Sequence, residues 1–256
     1  MLALERRNEI LTKLLLEGKV IVSDLSKVYQ VTEETIRRDL EKLENDGFAV
    51  KTYGGAIRSE NMGLDVPYIV RKQTNVAGKQ RIASLIGAMV EDGDSLMLDA
   101  SSTALYVVKS ILAKQRITLI TNSIEILLEL VNKPEWRVIS TGGVLKEGGL
   151  SLLGYQAEKT ARSFHVDWAI CSCKGLEREM GITDSNEKDA EIKKAFFQAA
   201  ERKVLAVDHT KFDKISFIRI AGYQDVDLVV TDIAPSEEWQ STFDDAGIQL
   251  AYTAEV

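Results

Sequence analysis

The spacing of apolar and polar positions changes character once along the chain. Up to about residue 57 the apolar residues recur at helical spacing in three short blocks; from about residue 76 onward, strand-length apolar runs alternate with helical stretches. In the first block Leu4, Ile10, Leu11, Leu14 and Leu15 share a helical period from about Ala3 to Glu17, and Gly18 stops it. Val20, Ile21 and Val22 follow. Ser23 then stands as a cap for a short helix whose inward residues are expected to be Leu25, Val28 and Tyr29. Thr32 is placed to cap a third helix with the stripe Ile36, Leu40 and Leu43. Glu33 and Glu34 complement the dipole in its first turn, and Gly47 after Asp46 closes it. Two short helices joined by a tight turn make a helix-turn-helix. Behind them Phe48–Ile57 alternates and carries Gly54 and Gly55, which suits a small hairpin, so a winged version is expected over residues 1–57.

Just off the stripe of the third helix stand Arg37 and Arg38, one turn inside its start. In a helix-turn-helix that end enters the major groove, where a guanidinium hydrogen-bonds a guanine edge or a phosphate. Thr32 and Thr35 reach phosphates or base edges from the helix start. Lys42 further along, and Lys51, Tyr53 and the backbone at Gly54 and Gly55 in the wing, suit the sugar-phosphate strand. The competing reading makes the two arginines a solvated face paired with Glu33, Glu34, Asp39 or Glu41. It explains the arginines but not the helices, turn and wing around them. The net charge of −7 argues against nucleic acid only if charge is averaged over the chain; a local basic surface is what binds phosphates.

Residues 58–75, with one of the three prolines, lose periodicity and read as a linker, helical at most at its end. From residue 76 to 256 the runs SLMLD, ITLIT, RVIST, DWAICSC, VLAVD and DLVVT alternate with helical segments, the last clear one near Asp189 to Glu201. That is the pattern of an α/β domain with a mostly parallel sheet and helices on both faces. A chain of 256 residues, 45% hydrophobic and 28% charged, accommodates two such domains with ordinary cores.

In such sheets ligands settle at the carboxyl ends of the strands. After SLMLD comes Asp99 and then Ser101, Ser102 and Thr103 opening a helix, a hydroxyl-rich turn at a positive helix end that suits a phosphate monoester, or else an ordinary cap. Thr121 and Asn122 follow ITLI, Gly142 and Gly143 follow VIST, and Lys211 follows VLAVD; these groups fit a polyhydroxylated anion, or caps and turns. Asp99 accepts sugar hydroxyls or caps its own turn, and Lys174 before Gly175 balances the phosphate charge. Gly148–Gly154 fits a flexible lid with Ser151 as a contact, or else a simple turn. Thr183 is a further candidate contact, while Glu187, Lys188, Glu191 and Lys194 look like a solvated helix face.

Other chemistries lack support. The two cysteines, Cys171 and Cys173, are too few for a disulfide scaffold, and with only His165 and His209 elsewhere no zinc spacing forms, so buried reduced thiols are expected and no metal. No glycine pair matches a phosphate-binding loop or dinucleotide fingerprint, and no catalytic residue or cofactor is expected. The charged start MLALERRNEI suits neither a signal peptide nor a membrane span, so the cytoplasm is expected, with no membrane partner.

The stretch TEETIRRDLEKLENDGFAVKTYGGA, with VSDLSKVYQV before it, closely resembles the N-terminal signature of the DeoR family of bacterial transcriptional regulators. The resemblance continues through LDASSTA, ITNS, STGG, the Lys174–Gly175 turn and VDHTKF. It implies a winged-helix DNA-binding domain joined to a sugar-phosphate-sensing domain similar to the ribose phosphate isomerase and CoA-transferase fold. Most members are repressors released by a phosphorylated metabolite. The chain departs from many members at Ser101, where they carry glycine.

Two functions are therefore weighed. The first is a sequence-specific regulator, a repressor of a carbohydrate operon, with operator DNA and a phosphorylated sugar as partners and a dimer or tetramer to match symmetric half-sites. The second is a sugar-phosphate isomerase with an appended DNA-binding head, using Asp99 or Glu187 as base and Lys174 or Lys211 to polarise the carbonyl.

Overall fold

The computed structural model describes residues 1–59 and 65–253, in two compact units, Met1–Thr74 and Asn75–Val256. In the first, α1 (Ala3–Glu17) buries Arg6, Ile10, Leu11 and Leu14 and ends at Gly18, whose left-handed φ of 75° costs a glycine little. Leu4, expected on the stripe, is 63% exposed. It lies six residues before Ile10, which at about 100° per residue places it about a third of a turn off that face. Strand β1 (Lys19–Ile21) leads directly into α2 (Val22–Tyr29), the Val22 N–H donating to Gly54 O at 2.8 Å. Ser23 therefore falls inside the helix and caps nothing, contrary to expectation. Val28, expected inward, is 63% exposed; Leu25 is buried, and Tyr29 on its other flank packs against the core instead.

Helix α3 (Glu33–Asn45) starts as expected, with Thr32 Oγ1 accepting the Thr35 N–H at 3.2 Å, and buries Ile36, Asp39, Leu40 and Leu43. Past Asp46, Gly47 takes φ 82° and the Phe48 N–H returns to Leu43 O. Strands β2 (Ala49–Thr52) and β3 (Gly55–Arg58) form the wing, in the antiparallel order β1-β3-β2. A Cβ on Gly55 would stand 1.9 Å from Val20 O, so the close approach of β1 to β3 requires glycine there. Helix α4 (Tyr68–Gln73), within the segment expected as linker, adds Val70 to this core; residues 60–64 of that segment lie outside the described residues.

The second unit runs α5 (Val76–Met89), β4 (Ser95–Leu98), α6 (Ser102–Ser110), β5 (Thr118–Thr121), α7 (Ile124–Glu129), β6 (Arg137–Ser140), β7 (Val144–Leu145), β8 (Leu152–Leu153) and α8 (Tyr155–Arg162). It continues with β9 (Val166–Cys171), β10 (Gly175–Glu177), β11 (Gly181–Asp184), α9 (Glu187–Gln198), β12 (Ala200–Ala206), β13 (Ile218–Ala221), β14 (Leu228–Thr231), α10 (Glu237–Asp245) and β15 (Gln249–Tyr252). Seven of these strands form one parallel sheet in the order β15-β14-β12-β9-β4-β5-β6. Side chains alternate across it: Leu96, Leu98 and Ile170 pack with α5, α6 and α7, while Met97, Ala169 and Cys171 pack with α8, α9 and α10. Both faces are apolar, which is why its strands read as continuous hydrophobic runs.

Three features differ from the pattern-based expectation. Helix α9 ends at Gln198, and Glu201 lies in β12. Edge strand β15 was not anticipated, because its residues alternate weakly. The antiparallel pieces β10-β11-β13 and β7-β8 also escape a periodicity reading, being short and held by partners distant in sequence.

Candidate functional site

On the first unit, α3 turns an exposed face outward carrying Arg37, Arg38 and Lys42, with Thr32 at its start. Arg37 Nη2 lies 2.6 Å from Glu33 Oε2 and Arg38 Nε 3.3 Å from Glu34 Oε1, one turn back along the helix. Such exposed pairs hold at most about 1 kcal/mol and yield readily to a phosphate or a base edge. Asp39, weighed as another surface partner, is instead buried against Arg6. Thr32 and Thr35 share a 2.9 Å hydroxyl contact. Tyr53 is fully exposed at the wing tip beside exposed Gly54, and Lys51 reaches Glu44 at 3.5 Å. Gly55 departs from its expected role: it is buried in the central strand, paired with Ile21 and Thr52.

In the second unit, β4 is the point where strand order reverses, since β5 and β6 follow on one side and β9, β12, β14 and β15 lie on the other. A crevice opens at such a reversal, beyond the carboxyl ends of the two central strands. The loop after β4 and the loop after β9 meet there. Asp99 joins them, accepting the Ser101 N–H on Oδ1 and the Ser172 N–H on Oδ2, each at 3.1 Å. Ser101 caps α6 by accepting the Ala104 N–H at 3.0 Å, and Ser102 and Thr103 are buried in the first turn.

The other expected residues gather at neighbouring strand ends, with differing freedom to act. Thr121 donates its hydroxyl to Leu98 O at 2.7 Å and accepts the Ser123 N–H, so it clamps the end of β5 onto β4. Thr183 likewise donates to Gly175 O and accepts the Ser216 N–H, and its carbonyl takes the Lys174 N–H. Gly142, at φ 64°, has open space where a side chain would be; at Gly143 a Cβ would meet Leu153 O at 2.7 Å. Ser151 is buried and bridges Ser123, and Leu152 N–H donates to Asn122 O. The expected flexible lid at 148–154 is therefore stitched to β5 by backbone pairing. Lys211 closes a 3-10 turn begun at His209, capped by Asp208 and anchored by Phe212, whose ring stacks edge-on against Trp239 at 5.1 Å.

Two clusters at this end of the sheet were not anticipated from the sequence. Lys193, on the buried side of α9, forms a very short contact with Asp184 and lies 3.4 Å from Asp99 Oδ2. Burial alone pushes the Asp184 carboxyl up, but Lys193 and then Lys174 outweigh it and hold it below its ordinary value of 3.8. Burial likewise pulls the Lys193 ammonium down, and Asp184 and Asp99 more than reverse this. The signal was present: Lys193 falls at helical spacing between Ala190 and Phe196–Phe197, an apolar stripe that a solvated lysine would not interrupt. In the second cluster buried Asp232, after β14, accepts the His209 N–H at 2.7 Å, contacts His209 Nδ1 at 2.8 Å, and takes the Asn75 Nδ2–H at 3.2 Å. Cys171 and Cys173 are buried, as expected, and burial first of all raises both thiols, Cys173 to about 12, which disfavours the thiolate.

Residues 6–61 match the DeoR-like helix-turn-helix domain and residues 74–233 the DeoR C terminal sensor domain. The chain belongs to the DeoR family. It is 40% identical over 232 residues to the uncharacterized HTH-type transcriptional regulator YulB of Bacillus subtilis, covering 91% of this chain and 90% of that one. At 32% identity it matches the L-fucose operon activator of Haemophilus influenzae, over 84% and 86% of the two chains, and the HTH-type transcriptional repressor GlcR of Bacillus subtilis, over 97% and 96%. Among solved structures, ribose 5-phosphate isomerase A of Methanocaldococcus jannaschii aligns with 54% of this chain and 55% of its own at 17% identity and a TM-score of 0.39. The DeoR-family chain is thus a DNA-binding transcriptional regulator with a sensor domain, and not an enzyme. No helix among its described residues is long and apolar enough to cross a membrane.

Proposed function

We propose that this regulator represses a carbohydrate-metabolism operon in the cytoplasm and is released when a phosphorylated sugar enters the crevice between β4 and β9. The division of labour follows the chain: residues 1–57 read DNA, 58–75 connect, and 76–256 sense. The observation that carries the effector is the buried, hydroxyl-lined start of α6, where Ser101, Ser102 and Thr103 surround backbone N–H groups at the positive end of a nine-residue helix. Lys174 and Lys211, in the segments that follow β9 and β12, supply positive charge at the same end of the sheet. Symmetric operator half-sites call for a second copy of the chain, so the acting form is a dimer or a tetramer.

A thermal-shift screen of phosphorylated sugars identifies the effector, since a ligand of the folded state raises its melting temperature. The sugar phosphate found in this way is expected to release wild-type protein from operator DNA and to fail on the Ser102→Ala/Thr103→Val double variant, whose operator affinity stays unchanged. Release of that variant at wild-type concentrations of effector would place the phosphate elsewhere.

At the other end, Arg37→Ala and Arg38→Ala are each expected to weaken operator binding by about 1–3 kcal/mol if the lost contact is a bidentate base pairing. Fluorescence anisotropy at fixed salt measures this. Wild-type affinity in both variants would remove α3 as the reading helix. A reporter transcribed less strongly when the regulator is deleted would make it an activator instead.

A further inference from the structure

Asn122 stands one residue beyond the Leu98–Thr121 register pair, at the end of β5 and beside the Asp99 position of β4. It is almost wholly buried. Its Nδ2 donates to Leu152 O at 3.1 Å while its backbone carbonyl takes the Leu152 N–H at 2.8 Å. The amide is therefore oriented unambiguously, because turning it over would set oxygen against a carbonyl oxygen. Its Oδ1 is left as an acceptor with no protein donor among the described residues. The adjacent hydroxyl of Thr121 is engaged elsewhere, on Leu98 O. A buried amide oxygen without a donor is unfavourable, and in this protein it sits at the carboxyl end of β5, the strand next to β4 at the same end of the sheet as the candidate crevice.

We infer that Asn122 is the residue that reads a sugar hydroxyl: Oδ1 accepts from one hydroxyl of the effector, while the α6 turn holds the phosphate. The inference rests on the phosphorylated-sugar reading of the crevice and narrows it, since the effector must present a hydroxyl at that place. Discrimination follows from the geometry. A site built to accept a hydroxyl donor rejects an analogue lacking it far more strongly than an apolar pocket rejects a missing methylene, because the buried acceptor is left unpaired. Thr121 and Thr183, whose hydroxyls already bond to main-chain groups, hold the loops rather than select the ligand.

The test is calorimetric titration of the full-length protein with D-ribose 5-phosphate, D-glucose 6-phosphate, D-fructose 6-phosphate and inorganic phosphate, and then of the tightest-binding sugar phosphate against each of its monodeoxy analogues. In wild-type protein one monodeoxy analogue is expected to bind about ten- to a hundredfold more weakly than its parent. In Asn122→Ala, checked for folding by its melting curve, the parent sugar phosphate is expected to lose the same factor, inorganic phosphate to bind as before, and the penalty for that analogue to vanish. If every monodeoxy analogue binds wild-type protein as tightly as the parent, the inference falls whatever the variant does. It falls too if Asn122→Ala weakens inorganic phosphate and sugar phosphate equally, for Asn122 then only shapes the loop through Leu152. Absence of binding by any sugar phosphate to wild-type protein overturns the phosphorylated-sugar reading itself, and this inference with it.

Discussion

Lys193→Met is expected to lower the unfolding free energy of the sensor by about 3–5 kcal/mol, the cost of leaving buried charge without its partner. The Lys193 side chain is 10% exposed, and the two carboxylates it neutralises, Asp99 and Asp184, are at most 1% exposed. Methionine fills much of the same volume, so the loss measures charge rather than a cavity. Acid should then partly restore the variant. In wild-type protein the Asp184 carboxyl is held below 3.8, so its contribution is present above that value and disappears as pH falls through its lower folded value. Without Lys193 the largest opposing charge on Asp184 is gone and burial works to raise that carboxyl, so folding favours its protonated form more than in wild type and the deficit shrinks as pH falls. Urea unfolding followed by tryptophan fluorescence reads this unit alone, since Trp136, Trp168 and Trp239 all lie within it. A deficit under about 1 kcal/mol, or one that grows on acidification, would mean the cluster is solvated and weakly coupled.

Asp39→Ala is expected to cost the DNA-binding unit a similar amount, about 3–5 kcal/mol, through the loss of its contact with Arg6. Arg6 Nε and Asp39 Oδ2 are 2.6 Å apart with side chains 9% and 7% exposed, joining α1 to α3. Removing the carboxylate strands a guanidinium in the apolar core formed by Ile10, Leu40 and Leu43. Hydrogen exchange of α1 and α3 peptides should show the loss, and operator affinity should fall with the folded fraction even though Asp39 is buried away from the exposed face. The double change Arg6→Met/Asp39→Leu is expected to recover most of the stability, because well-packed apolar residues replace such pairs at little cost. Protection of the Asp39→Ala variant equal to wild type would show that the pair holds little.

The contrast between these two clusters and the DNA face shows what each level of structure decides. Arg37 and Arg38 were legible as an exposed pair because their position follows from a helical period of a few residues and from the Thr32 cap, both local properties. Asp39, one residue further, was a surface partner only in the competing reading, and it is buried. Its burial depends on α1 arriving against it, and nothing local to α3 announces that. Lys193 was overlooked although it interrupts an apolar stripe, since a lysine on a helix is ordinarily solvated and only the convergence of β4, β11 and α9 supplies two carboxylates to receive it. The choice among polar side chains was hidden in the same way. Thr121, Thr183 and Asn122 look equally available in sequence, and which of them is already engaged depends on carbonyls brought up from other strands.

By itself, then, the order of residues determined the helix-turn-helix, its exposed arginines, the parallel sheet with helices on both faces, and the hydroxyl-rich turn after SLMLD. Each of these is written in spacings shorter than a dozen residues, which backbone periodicity and capping translate directly. Tertiary structure alone decided the pairing of Arg6 with Asp39, the burial of Lys193 between Asp99 and Asp184, the tying of Asn75 and His209 to Asp232, and the unmatched oxygen of Asn122. Most of those outcomes join residues far apart along the chain, and desolvation and hydrogen-bond complementarity take effect only once packing has set the partners within about 3.5 Å of each other.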